Sequence, residues 1–110
     1  MPMPVPKRPA DTLAGIQDAM HRFVESRGWY DPDSSKPQEP RNLAASISLE
    51  ANELLECFQW SGEGSPDCVA AELADVILYA AQLANVMGIE LSDAIAKKLE
   101  VNDQRFPAAA

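Results

Sequence analysis

Glu50 and Glu53 stand three residues apart in the stretch Glu50-Ala51-Asn52-Glu53-Leu54-Leu55-Glu56-Cys57-Phe58-Gln59-Trp60, and the pattern returns further on as Glu72-Leu73-Ala74-Asp75. Carboxylates at i and i+3 share one side of any helix that carries them. Two such helices packed antiparallel would face four carboxylates across a narrow gap. Like charges that close repel and raise one another's pKa unless a cation lies between them. Mg²⁺ requires oxygen ligands in near-octahedral geometry and keeps several waters. Glu50, Glu53, Glu72 and Asp75 are therefore read as a Mg²⁺ site, with Mn²⁺ as the alternative ion, leaving positions for waters and phosphate oxygens.

Competing chemistries are weaker. One E-x-x-E arises by chance on exposed helices; two acidic pairs on consecutive amphipathic helices are more specific. A di-iron bundle needs Glu-x-x-His motifs, and the single histidine, His21, lies on an earlier helix outside both pairs. No Gly-rich phosphate loop, Ser-His-Asp set or cysteine nucleophile is evident, so covalent catalysis by a side chain is disfavoured. A metal-activated water is the chemistry that remains.

The elements that must position these groups follow from periodicity. Asp11 or Thr12 can cap a first helix whose apolar residues, Leu13, Ile16, Met20 and Phe23, form one stripe ending at Gly28. A loop from Trp29 to about Pro40 follows, long for a small domain and of the kind that carries function. Trp29 at its root belongs to a pocket or closes the end of the bundle. The second helix is expected from about Asn42 to Trp60, with Leu43, Ile47, Ala51, Leu54 and Phe58 as core stripe. Glu50 then lies at the edge of that stripe, with Glu53 further round and Trp60 in nearly the same direction two turns on. Glu56 faces solvent. Ser65 and Pro66 are a fitting N-cap and first residue for a third helix that reaches Met87 and stops at Gly88. Val69, Leu73, Val76, Ala80, Leu83 and Met87 form its stripe, with Glu72, Asp75 and Tyr79 on the adjoining side. Its alanines permit close helix approach, to another subunit included, or serve helix propensity alone. Ser92 can cap a fourth helix fading near Arg105, on which Ile95 and Leu99 give an apolar edge. Lys98, Asn102 and Arg105 share one of its faces.

Composition bounds the partners. The chain has 110 residues and a formal net charge of −8, which argues against a nucleic-acid polymer because no basic stripe could release counterions. One domain over residues 11–107 is expected, preceded by a disordered Pro-rich tail over residues 1–10. No stretch reads as a signal peptide or a membrane span, so a cytoplasmic protein without a membrane partner is expected. Cys57 and Cys68 lack metal-ligand spacing. A disulfide is conceivable, but two small apolar residues in a reducing cytoplasm is the favoured reading.

These residues together carry a family resemblance. Pro40-Arg41-Asn42-Leu43, Glu50-x-x-Glu53 with Phe58-Gln59-Trp60, Glu72-x-x-Asp75 with Tyr79, and Lys98-x-x-x-Asn102-x-x-Arg105-Phe106-Pro107 resemble the MazG-like nucleotide pyrophosphohydrolases, particularly their dCTP pyrophosphatase branch. The resemblance covers roughly Phe23 to Pro107. It implies an all-α, four-helix bundle-like fold completed by oligomerisation, as a homodimer or a dimer-of-dimers tetramer. It implies Mg²⁺ on the four carboxylates and hydrolysis of a nucleoside triphosphate, dCTP or a related or modified one, to monophosphate and pyrophosphate. It further implies base contacts from Trp29 and Trp60, and sugar or phosphate contacts from Tyr79, Lys98 and Asn102. Arg105 joins Lys98 as a cation that can offset phosphate charge. Two departures stand out: Asn52 where close dCTP-specific relatives carry glycine, and a longer Trp29–Pro40 loop bordering the expected base pocket. The reading from another class is a non-catalytic helical interaction module whose acidic cleft binds a cation or a basic partner.

Overall fold

The computed structural model describes residues 3–5 and 8–109, and in these the chain forms four helices and no strand. They are α1 (Leu13–Ser26), α2 (Pro40–Glu56), α3 (Pro66–Met87) and α4 (Leu91–Arg105). α3 is the centre, packed against α2 on one side and α1 on the other, while α4 rests on α1. Part of the expected tail, residues 1, 2, 6 and 7, lies outside the described residues. Of the others, Val5 and Pro9 line a cavity against Phe23, Trp29 and Tyr79.

The helix ends follow local chemistry. Thr12 Oγ1 accepts a hydrogen bond from Gly15 N at 2.9 Å, and Ser65 Oγ accepts from Cys68 N at 3.4 Å, so both capping residues meet otherwise unpaired N–H groups. Gly88 closes α3 at φ +67°, a left-handed cap that glycine adopts without a Cβ clash. α2 begins two residues earlier than expected because Pro40 suits the first helical turn, its absent N–H costing nothing there. The Asn42 side chain reaches back to Pro37 O instead of starting the helix. α4 starts after Glu90, and Ser92 is not its cap.

Three expectations need correction. α2 ends at Glu56, so Phe58 and Trp60 belong to the following turn and their helical projections do not apply. That turn is tight: Gly64, at φ +70°, lies against the Phe58 ring, where a Cβ would come within 2.7 Å of Cε1. Second, Cys57 and Cys68 are not free thiols. They form a disulfide, with Cα atoms 5.9 Å apart, that joins the end of α2 to the start of α3. Third, the buried face of α3 is rotated from the expected stripe. Ala81, Gln82 and Ala84 are buried, whereas Leu73 and Met87 are about half exposed. The buried alanines let α3 approach its neighbours within this chain, and α4 buries no residue at all.

α3 is also long and apolar enough to cross a membrane by length and composition alone, with a mean hydropathy of 1.3. Its middle, however, carries the Glu72 and Asp75 carboxylates, and it packs between α1 and α2.

Candidate metal centre and active site

The antiparallel pairing of α2 with α3 lays out a groove in three sections. At one end Asn42 and Ser46 of α2 meet Tyr79 of α3 across a cavity. One to two turns along, Glu50 and Glu53 meet Glu72. One turn further, Cys57 is bonded to Cys68. The disulfide thus sits four residues beyond Glu53 on one helix and four residues before Glu72 on the other, the spacing of one helical turn on one face.

In the middle section, one oxygen each from Glu50, Glu53 and Glu72 lie within 4.8 Å of one another. The helices therefore bring together three of the four carboxylates read from the sequence. Asp75 is a neighbour, outside that tight set: its charge acts on Glu50, Glu72 and Tyr79, and its side chain borders the cavity shared by Trp29 and Tyr79. Glu50 and Glu72 are half-buried, and each keeps one buried oxygen, Oε2, without a hydrogen-bond partner among the described residues. Loss of hydration raises the Glu50 pKa to about 7, reinforced by proton sharing with Glu53 and by the charges of Glu53 and Asp75. Glu72 is raised as well, first by burial and then by Glu53. Without a cation, these oxygens face other carboxylate oxygens, and only a shared proton can relieve them. Orphaned buried oxygens on an all-carboxylate set fit a hard divalent cation, which needs such donors and offsets the repulsion.

Tyr79 couples this centre to the cavity. Burial raises its phenol pKa, and the charges of Glu50, Asp75 and Glu53 add to the effect, so it stays a neutral hydroxyl. The cavity, about 230 Å³, has an apolar floor of Met20, Val24 and Leu43 and a polar rim that includes Lys36, Gln38, Asn42 and Ser46. Trp29 lines it and also the adjoining apolar cavity, held edge-on by Phe23 with ring centroids 5.6 Å apart. The pocket reading of Trp29 is thus the one the geometry favours. Trp60 lies past α2 and is 90 % exposed. Lys98, Asn102 and Arg105 share α4, on the α1 side, and none lines either cavity; Arg105 stacks on Phe106 at 5.0 Å.

The sequence reading missed a polar network beneath the cavity. Gln82, fully buried, donates from Nε2 to Tyr30 Oη and to Gln38 Oε1, both at 3.1 Å. Tyr30 Oη in turn bonds His21 Nδ1 at 2.6 Å. Asn85 Nδ2 donates to Gln82 Oε1 and to Gln17 O, and Gln17 Oε1 accepts from Leu91 N. The network ties the loop, α1 and the start of α4 to the middle of the bundle. The one available signal is a glutamine and an asparagine at i and i+3 in the otherwise apolar last two turns of α3, since buried amides need partners.

The MazG-like family matches residues 45–109, a span that holds both acidic pairs and α4. The chain belongs to the MazG-like family. Within it, the chain is 31 % identical over 110 residues to human dCTP pyrophosphatase 1, covering 91 % of this chain and 62 % of that protein. The rat dCTP pyrophosphatase 1 is 30 % identical over 109 residues, covering 90 % and 61 %. The chain thus spans just over three fifths of the length of these curated relatives. A crystal structure of a pyrophosphatase from Archaeoglobus fulgidus superposes with a TM-score of 0.69 at 36 % identity, covering 87 % of this chain and 93 % of that one. The all-α MazG-like fold is thereby established for this chain.

Proposed function

We propose that this MazG-like protein is a nucleoside triphosphate pyrophosphohydrolase, releasing pyrophosphate and a nucleoside monophosphate. The observation that carries the reading is the adjacency of two things in one groove: a three-carboxylate set in which Glu50 and Glu72 each bury an oxygen, and a cavity walled by Trp29 and Tyr79. A cavity of that size, part apolar and part polar, suits one base and sugar. The relatives' activity on dCTP makes that nucleotide, or a related or modified one, the first substrate to try. Mg²⁺ is the proposed ion, with Mn²⁺ as alternative, held by Glu50, Glu53 and Glu72 with Asp75 beside them. When bound, it supplies electrostatic stabilisation of charge developing on the phosphoryl oxygens and the leaving pyrophosphate.

The chain's own residues do the rest. Trp29 offers a stacking face, and Tyr79, a neutral hydroxyl between cavity and carboxylates, orients the sugar or α-phosphate. Glu50, Glu53, Glu72 and Asp75 are the proposed catalytic carboxylates. Both cysteines are consumed in the disulfide, so neither offers a thiolate, and direct attack by water is the proposed route. Trp60, Lys98, Asn102 and Arg105 remain proposed nucleotide contacts, and a second copy of the chain is the proposed route by which they reach the groove. Leu49, Leu55, Leu73, Ile77, Leu99 and Val101 are all exposed, a larger apolar display than one small domain usually leaves in water. A homodimer or dimer of dimers would cover it. The substrate is the nucleotide; neither a nucleic-acid polymer nor a membrane is proposed as a partner.

The test is pyrophosphate release across a panel of normal and modified triphosphates, with Mg²⁺ and with chelator. Mg²⁺-dependent release from at least one triphosphate is expected. Binding of Mg²⁺ without release from any would favour the non-catalytic acidic-cleft reading instead.

A further inference from the structure

The 29–40 loop carries one lysine, and its placement is more constrained than a solvated charge requires. Lys36 Nζ lies 4.8 Å from the centroid of the Trp29 ring, and the side chain lines the same cavity as Asn42 and Tyr79. Asp31, Asp33 and Glu39 are on the same loop, yet Lys36 makes no ion pair among the described residues. The ammonium is instead placed over the indole face.

A chain of hydrogen bonds fixes the backbone that delivers it. Lys36 N donates to Ser34 Oγ at 3.3 Å, and Ser34 Oγ donates to Trp29 O at 3.2 Å. Lys36 O accepts from Gln38 Nε2 at 2.8 Å. Gln38 Oε1 accepts from Nε2 of the fully buried Gln82 at 3.1 Å. The position of Lys36 is thus referred, through one glutamine, to the buried middle of α3.

We propose that Lys36 is a specificity-determining residue of the cavity, donating from its ammonium to an acceptor on the edge of the base that stacks at Trp29. The inference rests on the pyrophosphohydrolase reading for the identity of the ligand, a nucleotide. The order of the groove assigns Lys36 to the base and not to the outer phosphates. It lines the cavity end, while Glu50, Glu53 and Glu72 lie between that end and the disulfide. A base that stacks on Trp29 shares the ring face with Nζ or moves it to the rim, and in both cases the ammonium borders the base. An ammonium has three donors and no acceptor. It rewards a carbonyl oxygen or unprotonated ring nitrogen at that edge, and it opposes an exocyclic amine there. Charged donors make the stronger hydrogen bonds, so the effect on selectivity is large enough to read. Gln38 and Gln82 are positioning residues in this scheme.

The experiment compares the full chain with Lys36→Met and Lys36→Arg. Base preference is read as kcat/KM for dCTP, dUTP, dTTP, dATP and dGTP, and again as Kd for the five monophosphates by tryptophan fluorescence. Lys36→Met should lower kcat/KM for the preferred base roughly tenfold or more, through KM, and flatten the preference. Lys36→Arg should keep most of it. Because Lys36 is exposed, the thermal midpoint should not move. Equal losses for every base, or unchanged ratios in Lys36→Met, overturn the proposal, and so does an equal loss of preference in both variants. A parent protein that cleaves no triphosphate refutes the reaction, while the monophosphate Kd ratios still decide the role of Lys36.

Discussion

Reduction of the Cys57–Cys68 bridge should destabilise the fold by an amount that its place in the chain sets. The bonded residues are 11 apart in sequence. In the chain-entropy treatment, closing a loop of that length removes about 9 cal/mol/K from the unfolded ensemble, or about 2.8 kcal/mol at 25 °C. With an unfolding entropy near 2.1 cal/mol/K per residue, a domain of this size should lose roughly 10 °C in its thermal midpoint. The assay is thermal unfolding of the oxidised chain, of the chain held in a phosphine reductant, and of Cys57→Ala/Cys68→Ala, with thiols counted under each condition. The bridge also stands one helical turn from Glu53 and from Glu72, so its loss should widen the separation of the carboxylates and weaken the Mg²⁺-induced rise in midpoint. Equal midpoints for chains with verified intact and verified reduced bridges would refute the reasoning. Two free thiols in the chain purified without reductant would show that the bridge does not form.

Other expectations concern the site. Glu50, with its pKa raised in the fold to about 7 from 4.5, binds more protons folded than unfolded between those values. The metal-free chain should therefore gain stability as pH falls from 8 to 5 and lose it as pH rises through 7, by linkage. Thermal midpoints against pH in chelator check this, and Glu50→Gln should flatten the slope. Glu53→Gln should raise the metal-free midpoint slightly and abolish the shift that Mg²⁺ gives the parent, about 2.7 kcal/mol at a hundredfold excess over Kd. An unchanged shift in calorimetry would remove Glu53 from the site. Trp60→Ala should leave stability within about 0.5 kcal/mol, since the side chain is 90 % exposed. It should cost nucleotide affinity about 1–3 kcal/mol if Trp60 stacks on the base. Titration of a monophosphate separates the two effects.

Local chemistry made much of the fold legible in the sequence. Ser65-Pro66 and Gly88 bound α3 as their backbone preferences require, and Glu50-x-x-Glu53 and Glu72-x-x-Asp75 announced facing helices. What stayed hidden depends on partners distant in sequence. Gln82 looks out of place in the apolar last turns of α3 until Tyr30 and Gln38 are folded against it. The buried face of α3 is not legible from one stripe because α3 serves two neighbours, so its apolar residues surround it and no single face wins. Helical projection does not place Trp60, because α2 ends four residues earlier, at Glu56, where the disulfide and the Gly64–Phe58 contact turn the chain. Nothing in the spacing of two cysteines distinguishes a bridge from two small apolar residues. That distinction needed the antiparallel register of α2 and α3.

Hydrolysis in ¹⁸O-water tests the central claim most directly. The chain is incubated with Mg²⁺ and the triphosphate it prefers, and the products are read by mass spectrometry. With water attacking directly, the new oxygen should enter at the α-phosphorus. One ¹⁸O atom in the nucleoside monophosphate, with unlabelled pyrophosphate, is the predicted result. Orthophosphate as first product, label in pyrophosphate alone, or no cleavage of any triphosphate would contradict the account.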